Sequence, residues 1–291
     1  MARTKPWEIS DELWELVEPL IPGSLRDPKK VYKRLPGGGR KPKYSNRLYF
    51  SAIIYILRTG TMWNALPREK FEGLGSSAVH RKFQQWTEAG LFYNIWSKGL
   101  TKYDEIQGIA WEWQSADGTN IKAPLAQESV GPNPTDRGKN GTKRSVLTDE
   151  RGVPLALVID GANRHDSVLL GPLLECIMMK QTKKEEELES SQEDDRKKTN
   201  LCLDAAFVGR ESLVKKHGFI PHIRPRGEEK QLIEKDTTFK PRRWVVEATH
   251  SWFNRFRKLT PRYEKTDASY LALCMLAAAL ITLNKVMIIY G

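Results

Sequence analysis

Hydrophobic residues recur at two periods along this chain, and the period changes once. From Ser10 to Ile21 they return every three or four positions, which predicts a helix with Ser10 as N-cap. "NRLYFSAIIYILRTG" repeats that spacing and predicts a helix capped by Ser45 and stopped at Gly60. "TMWNALPREKF" reads as a turn. "SSAVHRKFQQWTEAG" predicts a short helix with Val79, Phe83 and Trp86 inward and His80, Arg81, Lys82, Gln84 and Gln85 outward, and "LFYNIWSKGLTKY" predicts one more. After about residue 107 the pattern alternates. "GIAWEWQSADGT" sets Trp111, Trp113, Ser115 and Asp117 on one face of a strand that Asp117 closes. "KRSVLTDERGVPLALVIDGA" reads as two strands about a tight turn at Asp149 to Gly152. There follow a helix in "SVLLGPLLECIMMK", a buried strand in "NLCLDAAF" closed by Asp204, a helix near Arg210 to His217 and a strand in "FIPHIRPR". A helix over "RRWVVEATHSWFNRFRKL" and a last apolar helix complete the chain. The order predicts an α/β architecture, a mixed sheet with helices packed on it, preceded by an all-helical unit.

Charge changes the picture. The 291 residues carry a formal net charge of +11 and a pI near 9.5, which implicates a polyanionic partner and excludes nothing about fold. Between Arg26 and Arg47 nine Lys or Arg stand against one Asp, in a loop with three consecutive glycines. Helix, turn and a short helix with an outward basic and amide face, beside that loop, is the layout of helix-turn-helix DNA binding. The division expected is a DNA-binding helical domain over residues 1–105, with a basic loop at 25–47, and a second domain over 106–291. The run 183–198 has seven acids, five bases and almost no apolar residue, and reads as an exposed insert without chemistry.

Three scattered cysteines, Cys176, Cys202 and Cys274, support neither a zinc site nor a disulfide framework and suit a reducing cytoplasm. The N-terminus carries acids and has no uninterrupted apolar core, unlike a signal peptide. The 14-residue run from Tyr270 to Leu283 is short for a membrane span and reads as a buried core helix, so no membrane partner is expected.

A glutamate among bases raises the chemical question. On a helix over 242–259, Val245, Ala248, Trp252, Phe256 and Leu259 form an apolar stripe, and Glu247 falls opposite with His250, Ser251, Asn254 and Lys258. It is either a solvated glutamate or a carboxylate aimed into a basic groove. Asp117 and Asp204, each closing a strand, could join it if their strands are neighbours. Three hard oxygen ligands suit Mg²⁺ or Mn²⁺, and two such ions would drive an in-line phosphoryl displacement, with Arg242, Arg243, Arg255, Arg257 and Lys258 gripping phosphates.

These residues carry a resemblance. "LPGGGRKPKYSNRLYFSAIIYILRTGTMWNALP", "SADGTNIKAP", "GPNPTDRGKNGTKRSVLTDERGVPLALVIDGANRHDS", "LDAAF" and "RRWVVEATHSWFNRFRKL" follow in the order found in DDE transposases of prokaryotic insertion sequences, and the chain most resembles the insertion-sequence-five family. That resemblance implies an RNase H-like core, a catalytic and metal-binding triad of Asp117, Asp204 and Glu247, and about two Mg²⁺ or Mn²⁺ ions per site. It further implies binding of terminal inverted repeats, cleavage at the element ends, joining to target DNA, and a homodimer that pairs two ends. The expected DNA contacts are Arg40, Lys41 and Lys43 of the basic loop, and His80, Arg81, Lys82 and Gln84 of the short helix. Arg137, Lys139, Lys143 and Arg144 near the hairpin, and Arg243, Arg255 and Lys258 around Glu247, complete that set. The family's tyrosine-arginine-glutamate-lysine signature is incomplete: Lys240 and Asn254 replace its first and last members, with Arg255 adjacent. Two other readings stay open. A DNA-binding regulator would have lost a carboxylate, and a stand-alone nuclease would not need the helical module.

Overall fold

The computed structural model describes residues 5, 7–23, 31, 33, 42–178, 199–223, 242 and 244–290. Helix α1 (Asp11–Val17) starts where Ser10 Oγ accepts the Leu13 N–H at 3.0 Å. Helix α2 (Asn46–Thr59) starts the same way at Ser45 and stops before Gly60. Helices α3 (Ser76–Glu88) and α4 (Leu91–Gln107) follow, and α3 buries Val79, Phe83 and Trp86 as their spacing requires. The expected turn between α2 and α3 is not tight. It runs from residue 60 to 75 through 3-10 turns at Trp63–Ala65 and Arg68–Phe71, so the pair lacks the three- to four-residue connection of a helix-turn-helix.

Among the described residues the sheet has six strands: β1 (Trp113–Lys122), β2 (Gly131–Pro132), β3 (Asn140–Asp149), β4 (Pro154–Gly161), β5 (Thr199–Leu203) and β6 (Phe219–Ile223). β1, β3 and β4 form an antiparallel meander; β5 runs parallel to β1, and β6 parallel to β5. Past its first residue, β3 is buried along its whole length, as a central strand covered on both faces must be. Helices α5 (Asp166–Glu175), α6 (Glu211–Lys216), α7 (Trp244–Asn254) and α8 (Asp267–Leu283) pack on the sheet or its ends. This is the mixed α/β arrangement expected, with helices preceding it.

The β3–β4 hairpin closes where the sequence predicts, and Asp149 holds it. Its carboxylate accepts the N–H groups of Arg151 at 2.9 Å and Val153 at 2.8 Å, and the Tyr103 hydroxyl of α4 at 3.2 Å. Gly152 sits at φ +80°, and a Cβ there would come within 2.8 Å of Thr249 Oγ1 and 2.9 Å of the Trp252 ring. The glycine therefore answers both a left-handed turn and the close approach of α7.

Helix α8 is apolar nearly all round because it has no solvent face. Leu273, Leu276, Leu280 and Leu283 are at most 1% exposed, and α4 packs along it. Each such leucine contributes roughly 1.5–3 kcal/mol by burial. One hydrophobic core runs unbroken from Leu13 and Phe50 through the sheet to α8, so the helical segment and the sheet segment are packed as one body. An Ile9–Tyr290 bridge ties the two ends together. Among the described residues no helix is long and apolar enough to cross a membrane, and none of the three cysteines forms a disulfide. The charged insert 183–198 lies outside the described residues, as does most of the basic loop.

Candidate active site and nucleic-acid interface

β1 and β5 pair in parallel just ahead of two of the three carboxylates. Trp113 is level with Asn200, and Ser115 with Cys202. Two residues beyond that last pair the chain reaches Asp117 on β1, and Asp204 just past the end of β5. The strands end differently than the sequence suggested. Asp117 is not terminal: it pairs with Val146 of β3, and β1 continues to Lys122. Only β5 stops at this level, where half-buried Asp204 caps a 3-10 turn over Ala205–Phe207 by accepting the Ala206 N–H at 2.8 Å. "AAF" is therefore turn chemistry after all.

Glu247 is exposed on α7, which packs across β1 and β3. Thr249 Oγ1 donates to the Gly152 carbonyl at 2.8 Å, and Ser115 Oγ of β1 donates to the Arg242 carbonyl at 3.2 Å. The Arg242 guanidinium covers the Trp113 ring at 4.5 Å and pairs with Glu150. The buried stripe of α7 is Val245, Val246, Thr249, His250 and Phe253, rotated from the one the sequence suggested. His250, expected outward, is 7% exposed. Its ring is directed at the Asp117 main-chain carbonyl; burial first, and then the Arg144 charge, lower its pKa to about 3, so it is neutral. Arg144 shares the Asp117 face of the sheet, since Asp117 pairs with Val146 and Thr119 with Arg144. On the opposite face, Gly118 leaves room for Asp166 at the start of α5: a Cβ there would meet Asp166 Oδ1 at 2.1 Å.

Asp117, Asp204 and Glu247 thus belong to three adjoining elements. Among the described residues, no three His, Cys, Asp or Glu side chains are already gathered around a cation-sized space. The donors nonetheless suit a hard divalent ion, being carboxylates only, on a half-open sheet edge without thiolate or imidazole in the set.

The expected DNA contacts divide into three groups. Lys43, His80, Arg81, Arg137, Lys139 and Arg255 are exposed. Lys82 is half-buried over the rings of Tyr49 and Trp86, and burial lowers its pKa; Gln84 Nε2 donates to Ser269 Oγ at 3.0 Å. His80, Arg81 and Gln84 line a groove of about 460 Å³ with Trp63, Ser76 and Ser77. Three residues are corrected. Lys143 is 6% exposed and its ammonium lies 2.9 Å from Asp166; Arg144 is fully buried on the Phe253 ring; Lys258 is 3% exposed and paired with Glu264 at 3.2 Å. β3 is covered on both faces and α7 ends at Asn254, which takes these cations off the surface. Arg40, Lys41 and Arg243 lie outside the described residues. His165 caps α5, accepting the Ser167 N–H. Of the tryptophans, Trp63 packs on Phe83 at 4.9 Å, while Trp244 is 62% exposed one turn before Glu247. Sequence reasoning set His250 on the solvent face; a histidine at i+3 from the glutamate gave no signal of its burial.

Two family models match the chain: one described as "Putative transposase of IS4/5 family" over residues 9–96, and one described as "Transposase DDE domain" over residues 114–282. A Burkholderia cepacia protein named "Putative transposase for insertion sequence element IS402" is 32% identical over 159 residues, 53% of this chain and 69% of that one. A second protein of that organism, "Insertion element IS402 uncharacterized 16.2 kDa protein", is 34% identical over 127 residues, 43% of this chain and 80% of its own. The solved catalytic domain of the Mos1 mariner transposase aligns over 67% of this chain and 91% of its own at 9% identity and a TM-score of 0.28, too distant to bear on the site.

Proposed function

We propose how this chain acts from one premise: it belongs to the DDE transposases of the IS4/5 family. The protein binds the terminal inverted repeats of an insertion sequence, cleaves at the element ends and joins the freed 3′-hydroxyls to target DNA in the cytoplasm, as a pair of protomers. One observation carries this reading. Asp117 and Asp204 each follow by two residues the paired stretch of adjacent parallel strands, and the helix that presents Glu247 packs on β1.

In this reading the three carboxylates hold the divalent ions, Mg²⁺ or Mn²⁺, which when bound activate the attacking hydroxyl and stabilise the leaving oxygen. Asp117 is fixed by its pairing with Val146 of β3, and Asp204 by its cap on the following turn. Glu247 stands on an exposed face of α7. Exposed Arg255 and Arg257 flank the end of α7 and hold backbone phosphates, while exposed His80 and Arg81 of α3 contact the repeat. In the first step, water attacks phosphorus, the bond to the 3′-oxygen breaks, and a proton passes to that oxygen, leaving a 3′-hydroxyl and a 5′-phosphate. In the second step that 3′-hydroxyl is the nucleophile.

The test is cleavage of a labelled duplex bearing the element's terminal repeats in Mg²⁺, Mn²⁺ or EDTA. Wild type nicks at the repeat boundary only with metal, and Glu247→Gln lowers the rate by ~10³-fold or more, about 4 kcal/mol of barrier. Nicking that survives in Glu247→Gln removes that residue from the triad. Repeat binding without cleavage in any metal favours a regulator.

A further inference from the structure

The face of the sheet that carries Asp117 also buries two polar side chains that the chemistry above does not use. Arg144 is fully buried, lies 4.5 Å from the Phe253 ring centroid, and has no hydrogen-bond acceptor at any guanidinium nitrogen among the described residues. His250 is buried beside it and directed at the Asp117 carbonyl, yet neither ring nitrogen completes a hydrogen bond among the described residues. A buried N–H left unmade costs about 1–3 kcal/mol, and a buried unpaired guanidinium costs more. Apolar residues would be cheaper here, and Val146, Val246 and Phe253 already fill the adjoining positions.

The two groups sit where the triad elements meet. His250 follows Glu247 by three residues, about 4.5 Å along the axis of α7. Val246 and Phe253 hold α7 through apolar contacts, which set no particular rotation. Thr249 fixes α7 to Gly152, on the hairpin side, away from Asp117. A further directional contact between α7 and β1 is the imidazole facing the Asp117 carbonyl.

We propose that His250, backed by Arg144, is a positioning residue for the carboxylate triad: its N–H closes on the Asp117 carbonyl and fixes the height and rotation of α7 over β1, and so where Glu247 meets the two aspartates. Arg144 and Phe253 form the wall that keeps the ring turned to β1. This rests on the triad reading above.

The experiment is Mn²⁺ titration of the full chain followed by electron paramagnetic resonance, alongside single-turnover nicking of a repeat duplex, for wild type, His250→Phe and His250→Asn. The ring of His250→Phe fills the same space without an N–H; it is expected to unfold within a few degrees of wild type, bind Mn²⁺ ~10-fold more weakly and nick ~10–100-fold more slowly, with KM for the duplex unchanged. His250→Asn keeps a donor and recovers part of both losses. Wild-type Mn²⁺ affinity and nicking rate in folded His250→Phe would overturn the proposal. If the aromatic variant does not fold, His250→Asn decides: near wild-type Mn²⁺ affinity supports the role, and a loss of tenfold or more overturns it. A Mn²⁺ defect in a protein whose wild type never nicks the repeats leaves the positioning role standing and removes the transposition chemistry instead. Wild type that binds no Mn²⁺ overturns the positioning role.

Discussion

His250 shows how one side chain can carry an environment its sequence neighbours do not announce. Burial and the adjacent Arg144 charge hold its pKa near 3, well below the ordinary value of 6.5. A depressed folded pKa means the unfolded chain binds the proton more tightly. The neutral ring's contribution is therefore fully present above pH 6.5 and is lost as pH falls toward 3. Urea unfolding between pH 7 and pH 4 should show wild type losing on the order of a few kcal/mol that His250→Phe does not lose. Equal acid sensitivity in both proteins would place the titration elsewhere. Asp204 teaches a similar lesson: its carboxylate serves a turn cap and a candidate ligand set at once, so a structural role does not argue against a chemical one.

Elements were legible where their pattern is local. Ser10 and Ser45 cap α1 and α2 as read, and the hairpin at Asp149 to Gly152 falls in place, because capping and tight turns are fixed by residues a few positions apart. The inward face of α7 was misread by roughly one residue because its boundary contacts are long-range. Thr249 is drawn inward by Gly152, and Lys258 is captured by Glu264 beyond the helix end. Gly152 is where the two elements depend on each other. Gly152→Ala adds a Cβ at φ +80° against Thr249 and Trp252, and should destabilise by roughly 1–3 kcal/mol, read as a lower urea midpoint. An unchanged midpoint would mean that α7 yields at no cost, and would weaken the case that the hairpin fixes it.

The whole molecule has one core, and that changes which experiments are informative. Removing residues 1–105 strips α4 from α8 and exposes a helix with no solvent face, so the remaining chain should be insoluble or molten by circular dichroism. A soluble, cooperatively unfolding 106–291 fragment would show the two segments to be independent. DNA recognition by the helical segment is better probed at its surface. Arg81→Ala should leave unfolding unchanged and lower the slope of log affinity against log salt by about 1 for a repeat duplex, if that exposed guanidinium meets a phosphate. The sequence by itself determined the polyanion-seeking charge, the change from helical to alternating period near residue 107, the capped helices and the three carboxylates that chemistry would need. Each of these follows from residue types or from spacings within one element. The tertiary structure alone decided that the strands leading to Asp117 and Asp204 are parallel neighbours, that Lys143, Arg144 and Lys258 are interior, and that His250 faces Asp117. Pairing register and the covering of both sheet faces depend on segments far apart in the chain, which no local period encodes.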